Sequence, residues 1–347
     1  MAFQSASGYT NLPNGAFSPV IYSAKVQKQF RKTTVVGDIT NSDYFGEIAN
    51  QGDSVQIIKE PEIAITRIAR GTAMTSTDIA DEDFTLIIDR ANGFQFEVDD
   101  IEKKHSHVNW MDLATDRAGY NLAQEYDKDV LGYLSGYETL TLGGAWTART
   151  AAVGTKADSA AGADELLAAN KLDVTAFNAA GVANTSIALA ATPGTGVVTP
   201  LALLSRINRL MDQRNVDKEG RWVVVDPVFM EVLMDENSKF MDRDFQDGEQ
   251  LSNGKVASNK IRGFRVYCSN NLPYLGDGPA ATGAGSLTDF GVVVAGHDSA
   301  VATAEQIKKT ESFRSPFGFQ DIVRGMHLYG RKILRPEGLV RAIYNVA

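Results

Sequence analysis

Cysteine is almost missing from this chain: Cys268 is the only one in 347 residues. No disulfide can close within the chain and no thiolate cluster can hold a metal. Positive charge is also in short supply, with 34 Lys and Arg against 43 Asp and Glu and a formal net charge of −9. Coating nucleic acid requires a surplus of Lys and Arg for phosphate contacts, so the balance argues against that class while leaving room for a local basic patch. Long apolar runs are absent too. None approaches the roughly 20 residues of a membrane-spanning helix, and no membrane partner is expected. The opening Met1-Ala-Phe-Gln-Ser-Ala-Ser-Gly-Tyr9 lacks the basic segment and apolar core of a secretory signal, so work that begins in a reducing cytoplasm is expected.

Catalytic signatures are equally scarce. Gly194-Thr-Gly and Gly276-Asp-Gly complete neither a dinucleotide fingerprint nor a phosphate loop, and no Gly-x-Ser-x-Gly elbow occurs. His105-x-His107 lies close to Asp99, Asp100 and Glu102 and invites a metal reading. Alternate residues share one face of a strand but not of a helix, and this segment reads as a helix start. The plainer reading is a polar junction whose acids favour the helix amino end. Asp242-Arg-Asp-Phe-Gln-Asp-Gly resembles a calcium loop, but Asp247 stands where the turn glycine belongs and Asn253 where the bidentate glutamate belongs. No catalytic residue, metal ligand or cofactor is expected, and the chain is not expected to be an enzyme.

What is present is an ordinary globular composition, 44% hydrophobic and 22% charged, with room for roughly two domains. The most informative stretch is a long β-ribbon. Its outgoing strand runs Asp53-Ser-Val-Gln-Ile-Ile-Lys-Glu and continues past Pro61 as Glu62-Ile-Ala-Ile-Thr-Arg-Ile. It returns as Phe84-Thr-Leu-Ile-Ile-Asp and Phe94-Gln-Phe-Glu-Val-Asp-Asp. The intervening Gly71–Asp83 is polar and acidic. A two-stranded ribbon carrying Ile57, Ile58, Ile63, Ile65, Ile68, Leu86, Ile87 and Ile88 leaves an apolar face and two edges uncovered, so it is expected to lie on another subunit.

Before the ribbon, residues 1–32 read as an extended arm with scattered aromatics and a short helix over Val20–Phe30. After it, Val108, Met111, Ala114, Ala118, Leu122, Tyr126, Val130 and Leu134 recur at three- and four-residue steps. They predict one helix over Val108–Ser135, interrupted by Gly119 and Gly132 where a neighbour is expected to pack closely. Tyr137–Thr199 is rich in Ala, Gly and Thr and reads as a variable insertion of short strands and turns, with a helix near Asp164–Asn170. Thr199-Pro200 caps a helix over Leu201–Arg214. Asp226-Pro227 caps one through Met234, after the buried strand Arg221–Val225. Asp298-Ser299 caps one over Ala300–Lys309, after the strand Gly291–Ala295. Lys239–Lys260 reads as a polar loop. Ile322–Tyr329 and Leu339–Val346 are strand candidates, with Arg331, Lys332 and Arg335 between them.

This order of elements resembles the major capsid proteins of tailed bacteriophages of the Hong Kong 97 type. The wording agrees in Gly52-Asp-Ser-Val, Phe94-Gln-Phe-Glu-Val-Asp-Asp-Ile and Ile261-Arg-Gly-Phe-Arg-Val-Tyr-Cys-Ser-Asn-Asn-Leu-Pro273. It agrees again in Ser315-Pro-Phe-Gly-Phe-Gln-Asp-Ile-Val-Arg-Gly and Tyr329-Gly-Arg-Lys-Ile-Leu-Arg-Pro-Glu-Gly338. The resemblance implies an α+β capsid fold. Its parts would be an N-terminal arm (1–34), an extended loop with flanking strands (35–100), and a spine helix with peripheral domain and insertion (101–200). An axial domain (201–312) and a peripheral strand with a return strand (313–347) would follow. It further implies copies assembled as hexamers and pentamers into an icosahedral shell around packaged double-stranded DNA, contacted weakly. A portal protein and a separate scaffolding protein are expected partners, with assembly in the host cytoplasm and residence in the virion. Some members weld neighbours through an extended-loop lysine. Here the ribbon carries only Lys59, far from its tip, so a covalent cross-link is not expected.

Contact between subunits is expected to involve Ile63, Ile65 and Ile68 on the ribbon. The acidic tip, Asp78, Asp81, Glu82 and Asp83, is expected to dock on Arg331, Lys332 and Arg335 or on Lys308 and Lys309 of a neighbour. The rival readings are an encapsulin-like compartment of the same fold and a metal-dependent enzyme built on His105 and His107.

Overall fold

A computed structural model describes residues 34–42, 54–58, 65, 83–105, 110–139, 146–149, 166–178, 181, 185–235, 260–275, 290–316 and 318–346. The helices are α1 (Val36–Ile39), α2 (Asp100–His105), α3 (Trp110–Ser135), α4 (Pro200–Gln213) and α5 (Pro227–Leu233). The strands begin with β1 (Ser54–Ile58), β2 (Asp83–Asp99), β3 (Tyr137–Thr139), β4 (Trp146–Ala148), β5 (Lys171–Leu172), β6 (Ile187–Leu189) and β7 (Arg221–Val225). They continue with β8 (Lys260–Ile261), β9 (Phe264–Cys268), β10 (Tyr274–Leu275), β11 (Phe290–His297), β12 (Val301–Arg314), β13 (Gln320–Ile333) and β14 (Leu339–Val346). The arm before residue 34, most of the distal ribbon, His107, and the loops around Asp242 and Gly276 lie outside the described residues.

Two sheets organise the chain. The larger runs β5-β14-β11-β7-β9-β8, with β10 on β11 and β6 on β14. Every residue of β7 is buried, which is why Arg221-Trp-Val-Val-Val lacks the polar alternation of a half-exposed strand. Side chains on successive positions still part company. Val223 and Val225 join one apolar cluster with Leu203, Leu204, Ile207 and Met211 of α4 and with Phe229 and Leu233 of α5. Trp222 and Val224 join another on the opposite face, with Val130, Leu131, Tyr133 and Leu134 of α3 and with Val36 and Ile39 of α1. Helices thus cover both faces of this sheet.

Local capping sets where α4 and α5 begin. Thr199 Oγ1 accepts from Ala202 N at 3.4 Å, and an Asp226 carboxylate oxygen accepts from Phe229 N at 3.2 Å; a proline follows each cap. Arg221, the first residue of β7, is buried and ties the sheet to the far end of α4. Its guanidinium donates to Asp212 Oδ1 at 2.8 Å and to Val216 O at 2.6 Å, and it also meets Asn208.

The smaller sheet runs β1-β2-β13-β12. Its spine is the ladder between β2 and β13, from Asp99 opposite Gln320 to Ile88 opposite Gly330. Helix α3, about 39 Å long at 1.5 Å per residue, packs on β2 and β13 and carries its buried end into the larger sheet. Gly132 is where Trp146 presses on this helix: a Cβ there would lie 2.6 Å from the indole ring, whereas one at Gly119 would meet nothing.

Three expectations are corrected. The Ala300–Lys309 helix is the strand β12. Asp298 and Ser299 instead form the turn between β11 and β12, where Ala300 N donates to His297 O at 2.9 Å. Pairing with β13 along thirteen residue pairs outweighs the local cap signal. The ribbon's return strand is not an uncovered edge either, because β2 is bonded to β1 over Asp83–Ile87 and to β13 from Ile88 onward. Leu86 and Ile88 are accordingly buried with Ala302 and Ala304. Near Asp164–Asn170 the described residues, 166–170, form not an α-helix but a 3-10 turn over Ala168–Asn170, pinned where Asn170 Nδ2 donates to Leu339 O at 2.8 Å.

Candidate assembly interface

Beyond β1, Ile65 is the one described residue before β2; it is one of the expected contact residues and is 97% exposed. An isoleucine held almost wholly in water is a contact site in search of cover. Ile63, Ile68, Asp78, Asp81 and Glu82 lie outside the described residues, and Asp83 opens β2 opposite Ile58.

The expected basic acceptor is divided by the fold. Arg331 is buried, not displayed: its guanidinium lies 4.7 Å from the Tyr133 ring centre and 3.3 Å from Asp129 Oδ1. It therefore braces α3 against β13 and is removed from the docking set. Lys332, opposite Ala302, is half-buried. Arg335 is exposed, just ahead of the 3-10 turn Pro336–Gly338. Lys309 is exposed on β12 and pairs with Glu311, while Lys308 stands opposite His327.

Of the acids near His105, Asp99 and Asp100 have structural employment. Asp99 Oδ1 accepts from Ile101 N at 3.0 Å, as a cap at the start of α2. Asp100 pairs with Arg314, which holds its carboxyl below the usual range. Arg314 also reaches Asp321 at 3.4 Å, and Lys103 Nζ sits 3.0 Å from the same carboxylate. Further up the sheet, Lys309 and Arg324 converge on Glu311 and lower its pKa. Among the described residues no group of three potential metal ligands converges, and no helix is long and apolar enough to cross a membrane.

Sequence reasoning missed the residue that secures α1. Asp127, fully buried on α3, accepts from Val35 N at 2.7 Å and Val36 N at 2.9 Å, capping α1 from a distance, and from Asn271 Nδ2 at 2.8 Å. Burial pushes its carboxyl pKa upward against those three donors. Position 127 fell on a polar-looking turn of the α3 pattern, and its partners are 91 or more residues away, so no local signal could have exposed it.

This architecture matches solved capsids along nearly its whole length. Mycobacterium phage Che8 is similar with a TM-score of 0.65 and 23% identity, covering 95% of this chain and 97% of the other. The capsid structure of the cyanophage P-SCSP1u gives 0.63 at 18% identity, covering 97% and 96%. The capsid of Ralstonia phage GP4 gives 0.60 at 14%, covering 99% of each chain. At such identities these likenesses establish a shared fold, that of tailed-phage capsids of the Hong Kong 97 type. No curated protein matches the sequence. A family model described as phage capsid protein matches residues 81–342, from just ahead of β2 into β14, and the chain belongs to that family of shell-forming capsid proteins.

Proposed function

We propose that copies of this chain form the hexamers and pentamers of an icosahedral head that encloses packaged double-stranded DNA. The observation that carries this reading is Ile65, 97% exposed between β1 and β2, in a subunit of the phage capsid family. Such a side chain gains apolar cover from a neighbour, and a shell of identical subunits supplies one at every position. In this reading residues 1–34 are the arm, the ribbon is the extended loop, α3 is the spine, and the larger sheet forms the axial body. The acidic tip Asp78–Asp83 docks on Arg335, Lys332 and Lys309 of the neighbour without a covalent link. A separate scaffolding protein and a portal assist assembly in the host cytoplasm, and the net charge of −9 keeps the wall from gripping the genome. The role is structural, with no reaction catalysed.

Electron microscopy of the protein expressed with its neighbouring head genes tests this. Closed icosahedral shells filled with nuclease-protected DNA are expected. Shells holding a protein cargo would instead make it a cellular compartment, and subunits that never close into shells would sink the reading.

A further inference from the structure

The smaller sheet carries a knob and a hollow that cannot meet within one chain. The knob is the turn between β12 and β13, closed by Ser315 N donating to Gln320 O at 2.9 Å. Phe319 projects from it, 81% exposed. Ile101, beside it through the Asp100 N to Phe319 O bond of 3.1 Å, is 64% exposed.

The hollow lies further along the same sheet, on the face turned away from α3. Its floor is Ala91 and Gly93 on β2, with Met326 on β13 directly opposite Gly93. An open hollow of about 730 Å³ lies over them, and the missing side chain of Gly93 deepens its floor. Lys309, Arg324 and Glu311 form its rim.

Phe319 adjoins the Gln320–Asp99 pair, while the hollow is centred on Met326–Gly93, six pairs along the ladder. At about 3.4 Å per residue they are about 20 Å apart, so the knob cannot fill its own hollow. Charge matches across copies. The rim has Lys309 and Arg324 to one acid, Glu311, whereas beside the knob Asp100, Asp321 and the Glu97 bonded to Gln320 stand against Arg314 and Lys103.

We infer that Phe319 of one subunit seats in the Gly93–Met326 hollow of a second copy of this chain, a contact separate from the ribbon. Knob and hollow are different patches, so the contact is head-to-tail and repeats around a closed ring. This rests on the shell-forming reading, and the test separates the two. In a Cys268→Ser background, Phe319→Cys with Met326→Cys is assembled and oxidised. A ladder of linked chains on a non-reducing gel is expected from shells, with none from unassembled subunits. Shells that form but run only as single chains overturn the inference. So does a dimer from Phe319→Cys alone, which would place knob against knob. Absence of shells from the unsubstituted chain would instead fail the shell-forming reading.

Gly93→Leu provides an independent arm, because it fills the hollow from its floor. A Cβ there would meet only Gly325 O, at 3.2 Å, so the subunit should fold. Its melting temperature is expected to stay near that of the parent while shell yield at fixed concentration falls about tenfold, as for loss of an interface anchor. Parental shell yield from Gly93→Leu would overturn the contact.

Discussion

The larger sheet is finished within the subunit and the smaller one is not. In the first, helices cover both faces and β7 is buried throughout. In the second, α3 covers one face. The other presents Met326, Phe313 and the ion pairs of Glu311 with Lys309 and Arg324 to solvent, Phe319 stands exposed at the β12–β13 turn, and Ile65 is exposed between β1 and β2. The first body therefore holds its stability in apolar burial, which no partner is needed to complete. The second keeps apolar side chains in water that an assembled neighbour can cover, which couples its energetics to shell formation.

The sharpest way to break this comparison is to cut into the larger core. Phe229 is fully buried, with its ring 5.5 Å from that of Tyr344. Phe229→Ala should lose about 3–5 kcal/mol in urea unfolding of unassembled subunits. A loss under about 1 kcal/mol would mean that this body is not the stable one.

Next in size is the junction between the two bodies. Asp127→Ala leaves the N–H groups of Val35 and Val36 and the amide of Asn271 without their acceptor, at a cost of about 1–3 kcal/mol. Hydrogen exchange at Val35 and Val36 should rise well before exchange in β7. Simultaneous loss of protection in both would show one cooperative unit where two are drawn.

Acid separates the regions by sign. The folded pKa of Asp127 is raised by burial above its ordinary 3.8. The folded state therefore binds more protons than the unfolded one between those two values, and stability falls as pH rises through that window. The parent should lose stability relative to Asp127→Asn as pH climbs from about 3.8 through the folded value. Glu311 behaves in the opposite way. Lys309 and Arg324 lower its folded pKa below the ordinary 4.5, so its contribution is present above 4.5 and is lost as pH falls through the folded value. Glu311→Gln should flatten acid-induced opening of β12 and β13, read by amide exchange, with little change at neutral pH. A parent-like acid response in that variant would remove Glu311 from the account.

What could be read beforehand follows the range of the interactions. Thr199 and Asp226 satisfy N–H groups three residues away, and their helices were legible. The buried valines of β7 and β11 announce themselves because both faces are covered. Asp298-Ser299 gave an equally good local signal and misled, since β13 lies far off in sequence and its pairing decided the matter. Arg331 looked like a surface cation for the same reason: the Tyr133 ring and Asp129 that hold it are some 200 residues earlier. Of the candidate interface, Ile65 is an apolar position that the sequence marks and the fold leaves exposed, while Ile63 and Ile68 lie outside the described residues. Phe319 and the Gly93 hollow were not, because exposure is set by the fold and cannot be read from residue type.

The smallest effect on the subunit is the one that bears most on the shell. Ile65 touches nothing that its own chain buries, so Ile65→Ser should move subunit stability by no more than about 0.5 kcal/mol. If a neighbour covers that side chain in the assembly, the same substitution removes an apolar contact worth about 1.5–3 kcal/mol when fully buried, repeated at every subunit. The critical concentration for assembly, measured by light scattering, should then rise by about tenfold or more. Unfolding curves of parent and variant would superimpose while their assembly curves part. Superposition of both would leave Ile65 a solvated side chain, and the smaller sheet would then be finished without its ribbon.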